Sequence, residues 1–203
     1  MIQPDAGEVE IGETIRIGYF AQEVPDMDTN QRVIDYIRDV AEYIPTRDGK
    51  ISATMMLERF LFDSAMQYAP IAKLSGGEKR RLYLLKVLME APNVLLLDEP
   101  SNDLDIPTLT ILEDYLDSFA GIVIAVSHDR YFLDNIVDRI FAFEGNGHLT
   151  QYEGGYTDYT EALARKGGAV SEGQSTAVGA EKKKSAQADW KQHRPQKLKF
   201  TYK

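Results

Sequence analysis

The first half of the chain shows mainly helical spacing of its hydrophobic residues. Apolar residues after Thr29 recur at intervals of three and four, which predicts a helix that ends at Pro45. The stripe on this helix consists of Val33, Ile34, Ile37, Val40, Ala41 and Ile44. A second helix is predicted over residues 52–62, and a third over residues 75–89, where a capping-box pattern opens it and Pro92 stops it. This region is therefore predicted to contain three helices.

The spacing changes in the middle of the chain to unbroken apolar runs. Residues 94–97 and 122–126 contain only Val, Leu, Ile and Ala, which is typical of strands buried in a parallel sheet. Between them lies a predicted helix over residues 107–119, closed by Gly121. Strand, helix and strand in this order form a βαβ unit, so the predicted fold class is α/β.

Shorter elements flank this unit on both sides. Residues 8–11 and 14–20 alternate polar and apolar positions, which predicts two short strands. Residues 139–144 and 148–152 flank a Gly-Asn-Gly turn and predict a hairpin. A short helix is predicted at residues 156–165, where the compact region should end.

Charge is distributed unevenly along the 203 residues. The net charge is −9, but residues 181–203, here called the basic arm, hold eight Lys or Arg and two acidic residues. The arm's balance of +6 leaves −15 for residues 1–180. Composition predicts a domain at residues 1–166, a disordered linker at 167–189 and the start of a C-terminal extension at 190–203. The arm could bind nucleic acid or serve only as a solvated tether.

Composition also limits the class of protein. No apolar run is long enough to span a bilayer, and no signal peptide is evident. The sequence contains no cysteine, which fits a reducing compartment. We therefore expect a cytoplasmic protein without a membrane partner.

Two carboxylates follow the apolar run at residues 94–97. A parallel strand that ends in Asp98 and Glu99 places both at the carboxyl edge of the sheet, where α/β proteins bind ligands. Asp98 could hold Mg²⁺, directly or through water, and Glu99 could orient or deprotonate an attacking water. Taken alone, the pair could equally be an acidic turn after a buried strand.

A second motif lies 23 residues before Asp98. Ser75, Gly76 and Gly77 open a predicted helix, and Glu78 completes a capping-box pattern. Bare backbone N–H groups and the helix dipole at such a start suit a phosphate. A simple helix cap is the alternative for an isolated Ser-Gly-Gly.

Two single residues extend this set. Gln22 follows a predicted strand and opens a loop, where its amide could ligate Mg²⁺ or position water. His128 follows the apolar run at residues 122–126 through Ser127, so it should also lie at the carboxyl edge of the sheet. Either residue alone would carry little weight.

The ordered set resembles the ABC ATPase family over roughly residues 1–165. Gln22 matches the family's Q-loop, residues 74–78 its signature motif and residues 94–99 its Walker B strand. Residues 101–105 resemble its D-loop, which ends in Asp105, and His128 its switch histidine. The resemblance implies a parallel sheet like that of P-loop NTPases, with a helical subdomain at about residues 27–90. Asp103 is a departure from the family pattern, because many relatives have histidine in this loop.

Finer details resemble the ABC-F branch, soluble proteins with two ATPase domains that act on ribosomes. These details are residues 18–22, Glu78 in place of the commoner glutamine, and residues 127–134, 152–159 and 197–203. The last segment is similar to the one that follows the second ATPase domain. The resemblance therefore implies the second domain of a protein that regulates translation or protects the ribosome.

The resemblance implies a division of roles around ATP and Mg²⁺. Two such domains face each other head to tail, so Ser75, Gly76, Gly77 and Glu78 would contact ATP held by the first domain. The ATP bound by this chain's own domain would be contacted, directly or through Mg²⁺ and water, by Gln22, Asp98, Glu99 and His128. Closure on ATP would be coupled to the ribosome and ribosomal RNA.

One expected motif is absent from the sequence. No Gly-x-x-x-x-Gly-Lys-Ser/Thr pattern occurs in the 203 residues. Residues 4–8 resemble the family segment that lies shortly after this phosphate loop. We therefore expect a chain cut just after the loop, which would be inactive alone as an ATP hydrolase.

Two other functions stay open at this point. The nucleotide-binding subunit of an ABC membrane transporter shares the motifs, but it does not need the basic arm. A partner-binding module could keep the fold without catalysis, although Glu99 and His128 are both present.

Overall fold

A computed structural model describes residues 5–46, 49–102, 104–145 and 147–168. Seven helices and seven strands are described in these ranges, with a single 3-10 turn at Ile71–Lys73. The helices are α1 (Val33–Arg38), α2 (Ala53–Arg59), α3 (Ser64–Gln67), α4 (Gly76–Met89), α5 (Ile106–Asp117), α6 (Arg130–Ile136) and α7 (Tyr156–Gly168). The strands are β1 (Ile17–Phe20), β2 (Tyr43–Thr46), β3 (Gly49–Ser52), β4 (Val94–Asp98), β5 (Ile122–Val126), β6 (Arg139–Phe143) and β7 (Leu149–Glu153).

A three-stranded parallel sheet forms the centre of the fold, in the order β1-β4-β5. The register pairs Ile17 with Val94 and Val94 with Ile122, and it continues along the strands. The crossover from β4 to β5 runs through α5, as the βαβ pattern predicts. The α/β fold class is confirmed.

One face of this sheet is covered by helices. Phe20, Leu95 and Leu97 are buried on this face, and α4 packs against β1. Helix α1 packs against α2, α3 and α4. The largest fully buried apolar side chains include Phe20, Phe60, Phe62, Phe132, Ile34, Ile37, Met56, Leu57, Ile71, Leu82 and Leu84.

Five helices begin at a side chain that accepts a hydrogen bond from the first turn. Ser and Asp are favoured at this position because their short side chains reach the free backbone N–H groups there. The five caps are Ser52 for α2, Asp63 for α3, Ser75 for α4, Asp105 for α5 and Asp129 for α6. The sequence therefore sets most helix starts locally.

The structure corrects two predicted elements. Residues 8–11 form no strand, and Val9 and Ile11 are 69% and 48% exposed, because no segment in the described ranges pairs with them. The helix after Thr29 ends at Arg38 rather than at Pro45. Ile44 belongs to β2, which pairs with β3, and its side chain reaches the core from a strand.

The remaining predictions of local structure agree closely. The hairpin is the antiparallel pair β6 and β7, and the last helix is α7. Chain contacts divide the molecule into residues 1–164 and 165–203, and only residues 165–168 of the second unit are described. The predicted linker from residue 169, the basic arm and Asp103 lie outside the described residues. Within the ranges that are described, no helix is long and apolar enough to cross a membrane.

The second face of the parallel sheet has no helix over it in the described part of the chain. Its apolar side chains share one side because paired residues in a sheet point the same way. This uncovered face consists of Ile17, Tyr19, Val94, Leu96, Ile122, Ile124 and Val126. Ile122, Ile124 and Val126 are 61%, 55% and 59% exposed, which is high for adjacent apolar residues of a sheet.

We expect the 203-residue chain to self-associate through the uncovered face. At rising concentration it should form oligomers and bind the dye ANS, since exposed apolar surface of this kind drives association. Ile124→Lys should reduce both effects, as measured by light scattering and fluorescence. Ile106→Lys is the matched control, because Ile106 is an 80% exposed isoleucine away from the sheet. A monodisperse wild-type chain without ANS binding would contradict this prediction.

Candidate functional site

Strand β4 delivers two carboxylates to the carboxyl edge of the sheet. Asp98 is the last residue of β4, and its Oδ2 accepts a hydrogen bond of 3.2 Å from the Tyr19 hydroxyl. This bond raises the pKa of Tyr19 above its ordinary value. Glu99 follows with φ of 47°, while its N–H still donates to the Val126 carbonyl at 2.8 Å. The chain therefore turns sharply at the residue that is predicted to orient or deprotonate the attacking water.

Glu99 and His128 are in direct contact. The Glu99 Oε1 lies 3.1 Å from the His128 Nε2, and the His128 N–H donates to Glu99 Oε2 at 3.2 Å. Glu99 is 7% exposed, whereas the His128 side chain is 89% exposed. One buried carboxylate thus fixes both the backbone and the ring of an exposed histidine, an arrangement suited to orienting water.

Short hydroxyl contacts hold the loop that carries His128. Ser127 Oγ lies 3.3 Å from Ser101 Oγ and accepts from the Asp129 N–H at 3.0 Å. Asp129 in turn caps α6 through the N–H groups of Tyr131 and Phe132. The loops after β4 and β5 are therefore joined directly.

The loop at Gln22 is held by its backbone rather than by its side chain. Arg80 Nη1 donates to the carbonyls of Ala21 and Gln22 at 2.6 and 2.7 Å. The Arg80 guanidinium also lies 4.2 Å above the centre of the Phe20 ring. The Gln22 side chain is exposed and makes no hydrogen bond to the described residues, so its amide is accessible to a ligand.

The predicted phosphate motif at the start of α4 forms a complete capping box. Glu78 Oε2 accepts from the Ser75 N–H at 2.7 Å and from the Ser75 hydroxyl at 2.8 Å. These bonds, the backbone one first, hold the pKa of the Glu78 carboxyl below its ordinary value. Ser75, Gly76 and Gly77 are exposed, and a Cβ added to Gly76 would meet no atom within 4 Å. The motif is therefore a helix cap, and the backbone of its two glycines is also exposed to solvent.

Asp105 connects the D-loop to the same helix. Its Oδ1 accepts from the Thr108 N–H at 2.9 Å, and its Oδ2 lies 3.5 Å from Arg81 Nη1. Hydrogen bonding from Thr108, and to a smaller extent Arg81, lowers the pKa of Asp105. The Arg81 guanidinium lies 4.8 Å from the centre of the Phe62 ring.

The structure brings some of the predicted site residues together and leaves others apart. Asp98, Glu99 and His128 share the carboxyl edge of the sheet, as the strand pattern predicts. Among the described residues, no hydrogen bond or ion pair joins them to Ser75 or Glu78. The residues at the carboxyl edge of the sheet and the cap of α4 would therefore contact different ligands, or different parts of one ligand.

The residues present fit a magnesium ion that also binds phosphate. Mg²⁺ prefers oxygen ligands and usually takes only one or two carboxylates from the protein, with phosphates and water completing its shell. Asp98 offers a partly exposed carboxylate and Gln22 an exposed amide. The described part of the chain contains no cluster of three or more metal-binding side chains, so the donor set matches a shared site rather than a closed one.

Sequence reasoning missed three residues that support the site: Tyr19, Arg80 and Arg81. A signal for Arg80 was present, because it occupies the buried stripe of α4 with Leu84 and Leu88, four and eight residues on. A charged side chain on a buried helix face needs hydrogen-bond or ion-pair partners, so the sequence indicated that Arg80 makes such contacts.

The family model described as ABC transporter matches residues 2–102. An uncharacterized ABC transporter ATP-binding protein of Bacillus subtilis, YfmR, is 54% identical over 191 residues, which cover 93% of this chain and 30% of that protein. The ATP-binding protein Uup of Haemophilus influenzae is 38% identical over all of this chain and 32% of its own length. The energy-dependent translational throttle protein EttA of Escherichia coli is 37% identical over 82% of this chain and 30% of its own length.

This chain belongs to the ABC ATPase family, in the ABC-F branch. It spans about a third of the length of the relatives it matches. A solved structure titled RNase-L Inhibitor has a TM-score of 0.59 and 21% identity, over 82% of this chain and 33% of that one. An ATP binding subunit of an ABC transporter has a TM-score of 0.53 and 17% identity, over 74% of this chain and 63% of that one. Both structures confirm the ABC ATPase fold.

The capping box makes a testable prediction about pH. Because the pKa of Glu78 is lowered in the folded ABC domain, its carboxylate stabilises the fold above its ordinary value of 4.5. That stabilisation should disappear as the pH falls through the lowered value. Glu78→Gln keeps a side-chain oxygen that can accept the same hydrogen bonds, but glutamine does not ionise. The stability of this variant should therefore lack the pH-dependent contribution of the carboxylate.

The measurement is thermal unfolding of the wild-type chain and Glu78→Gln by circular dichroism, at low concentration between pH 7 and pH 3. The wild type's advantage should be constant at neutral pH and shrink below about pH 4.5. Glu58→Gln, an exposed carboxylate on α2, is the control. A difference that does not change with pH would refute the role of the charge.

Proposed function

We propose that this chain is part of the second ATP-binding domain of an ABC-F protein that binds and hydrolyses ATP and acts on the ribosome in translation. The observation that carries the proposal is the contact between Glu99 and His128 at the carboxyl edge of the sheet. A buried carboxylate paired with an exposed imidazole, one residue after a possible magnesium ligand, is suited to phosphoryl transfer to water.

Each residue has a separate role in this proposal. Glu99 orients or deprotonates the attacking water, and His128, held by Glu99, contacts the reacting phosphate. Asp98 and Gln22 hold Mg²⁺, which supplies positive charge to the phosphate oxygens when it is bound. Ser75, Gly76 and Gly77 contact the ATP of the facing first domain, and Glu78 holds this motif in shape through the capping box.

The phosphate loop is proposed to lie in another part of a longer protein. The motif Gly-x-x-x-x-Gly-Lys-Ser/Thr does not occur in the 203 residues, and the relatives are about three times as long. Most of the charge stabilisation in phosphoryl transfer comes from that loop and its lysine. The isolated chain should therefore not hydrolyse ATP.

A role in translation is supported by one relative. EttA is named as an energy-dependent translational throttle protein, and it is similar to 82% of this chain. We extend that role to this chain, with the ribosome as partner and the cytoplasm as location. The family model and YfmR carry the word transporter in their descriptions, but YfmR is uncharacterized, and the names of Uup and EttA do not mention transport.

Glu99→Gln in the full-length protein should bind ATP and lower its hydrolysis about 10²- to 10⁴-fold, the usual contribution of a general base. Glutamine keeps the shape of the side chain but cannot take a proton. Phosphate release and nucleotide retention measure the two effects. Glu58→Gln, which changes an exposed carboxylate on α2, is the matched control. Hydrolysis by Glu99→Gln at the wild-type rate would show that Glu99 is not the catalytic carboxylate.

The basic arm is proposed to contact ribosomal RNA. It holds Lys182, Lys183, Lys184, Lys191, Arg194, Lys197, Lys199 and Lys203. Trp190, Phe200 and Tyr202 lie among them, so the arm combines phosphate-binding charges with rings that can stack on bases. The remaining 180 residues carry −15 and should repel RNA.

Deleting residues 181–203 should abolish RNA binding by the chain at low salt. Affinity of the intact chain should fall steeply as salt rises, because each neutralised phosphate releases counterions. Fluorescence anisotropy with a labelled ribosomal RNA fragment measures both. If the deletion leaves binding unchanged, or if the intact chain does not bind, the arm is only a tether.

A further inference from the structure

Two consecutive arginines on α4 contact two different loops of the site. Helix α4 begins with the motif at Ser75, and Arg80 and Arg81 follow just over one turn later. Neighbouring residues on a helix point about 100° apart, so the two side chains leave α4 in different directions. Arg80 reaches the loop at Gln22, and Arg81 reaches Asp105.

The Arg80 contact is almost completely buried. Arg80 is 2% exposed, stacks above Phe20 and donates to two successive carbonyls of the Gln22 loop. A buried guanidinium that binds carbonyl groups at 2.6 and 2.7 Å fixes the backbone of that loop relative to α4. Replacing it would also remove part of the core, so Arg80 is unsuited to a clean test.

The Arg81 contact lies at the boundary between core and solvent. The Arg81 side chain is 9% exposed and stacked near Phe62, whereas the Asp105 side chain is 57% exposed. Asp105 is already oriented by its cap on α5 through Thr108. The ion pair therefore joins α4, the helix that begins with the signature motif, to the start of α5, where the D-loop ends.

We propose that Arg81 is a positioning residue for ATP hydrolysis. Through Asp105 it holds the D-loop in place relative to the helix that begins with the signature motif. This inference rests on the proposed function, because it assigns Arg81 to the composite site proposed there, in which the signature motif of this chain contacts ATP held by the facing first domain. Arg81 does not touch the nucleotide and acts through Asp105.

Single substitutions can remove the ion pair between Arg81 and Asp105 while the helix cap at Asp105 is kept. Asp105→Asn keeps a good capping side chain but removes the charge that pairs with Arg81. Arg81→Met keeps an unbranched apolar stem that can pack near Phe62, and it also removes the charge. Arg81→Lys restores the charge without the planar stacking group. Lys79→Met, on the same helix, is the control, since Lys79 forms no ion pair within the described ranges.

The experiment measures kcat and KM for ATP hydrolysis by the full-length protein, together with its melting temperature. Arg81→Met and Asp105→Asn should each lower kcat about 3- to 10-fold, the range expected for one partly buried charge pair. KM should stay within about twofold, because the pair orients loops and leaves the main phosphate contacts intact. The double variant should be no worse than either single variant, and Arg81→Lys should recover part of kcat.

Other outcomes would overturn the proposal. Variants with lower melting temperatures but unchanged kcat would show that the pair is purely structural. Independent effects that multiply in the double variant would show that Arg81 and Asp105 do not act as a pair. A wild-type protein that does not hydrolyse ATP would refute the proposed function itself, whereas an active wild type with unaffected variants would refute only the role of Arg81.

Discussion

The pairing of β4 with β5 is the interaction on which the site depends. Both strands run in the same direction, so Asp98 lies opposite Val126 and the two chains leave the sheet side by side. The ladder extends one residue further through the bond from the Glu99 N–H to the Val126 carbonyl. Glu99 and His128 are 29 residues apart in sequence and meet because of this register.

The opposite end of the same strands explains why the register does not slip. Asn93 accepts from the Arg16 N–H and donates to the Thr14 carbonyl, which aligns β1 with β4. A Cβ on Gly121 would overlap the Asn93 carbonyl, so only glycine lets β5 begin against β4 at this point. A Cβ on Gly18 would likewise meet the Pro92 ring at 2.9 Å. Close packing near the amino ends of the strands thus fixes the strand register, and the register fixes where Glu99 and His128 lie at the carboxyl ends.

Features set by short stretches of sequence could be predicted, and features set by distant partners could not. The cap at Ser75, the apolar strands and the glycine turns depend on a few neighbouring residues, so the βαβ unit and α4 were found. Ile44 has helical spacing from Val40, yet pairing with Ile51 places it in a strand. The contacts of Arg80 and Arg81 link residues far apart in sequence, and no local pattern specifies their partners.

The capping box also constrains how α4 could bind a phosphate. The Ser75 hydroxyl is engaged by Glu78, and the lowered pKa keeps that carboxylate negative near neutral pH. A second negative group beside it would be repelled, whereas a glutamine at this position would add no charge. The first N–H groups of a helix have no partner within it, so the backbone at Gly76 and Gly77 is left to receive an anion. A phosphate in the proposed composite site would therefore depend on these two N–H groups and the helix dipole, and would have to displace Glu78 before it could bind the Ser75 hydroxyl.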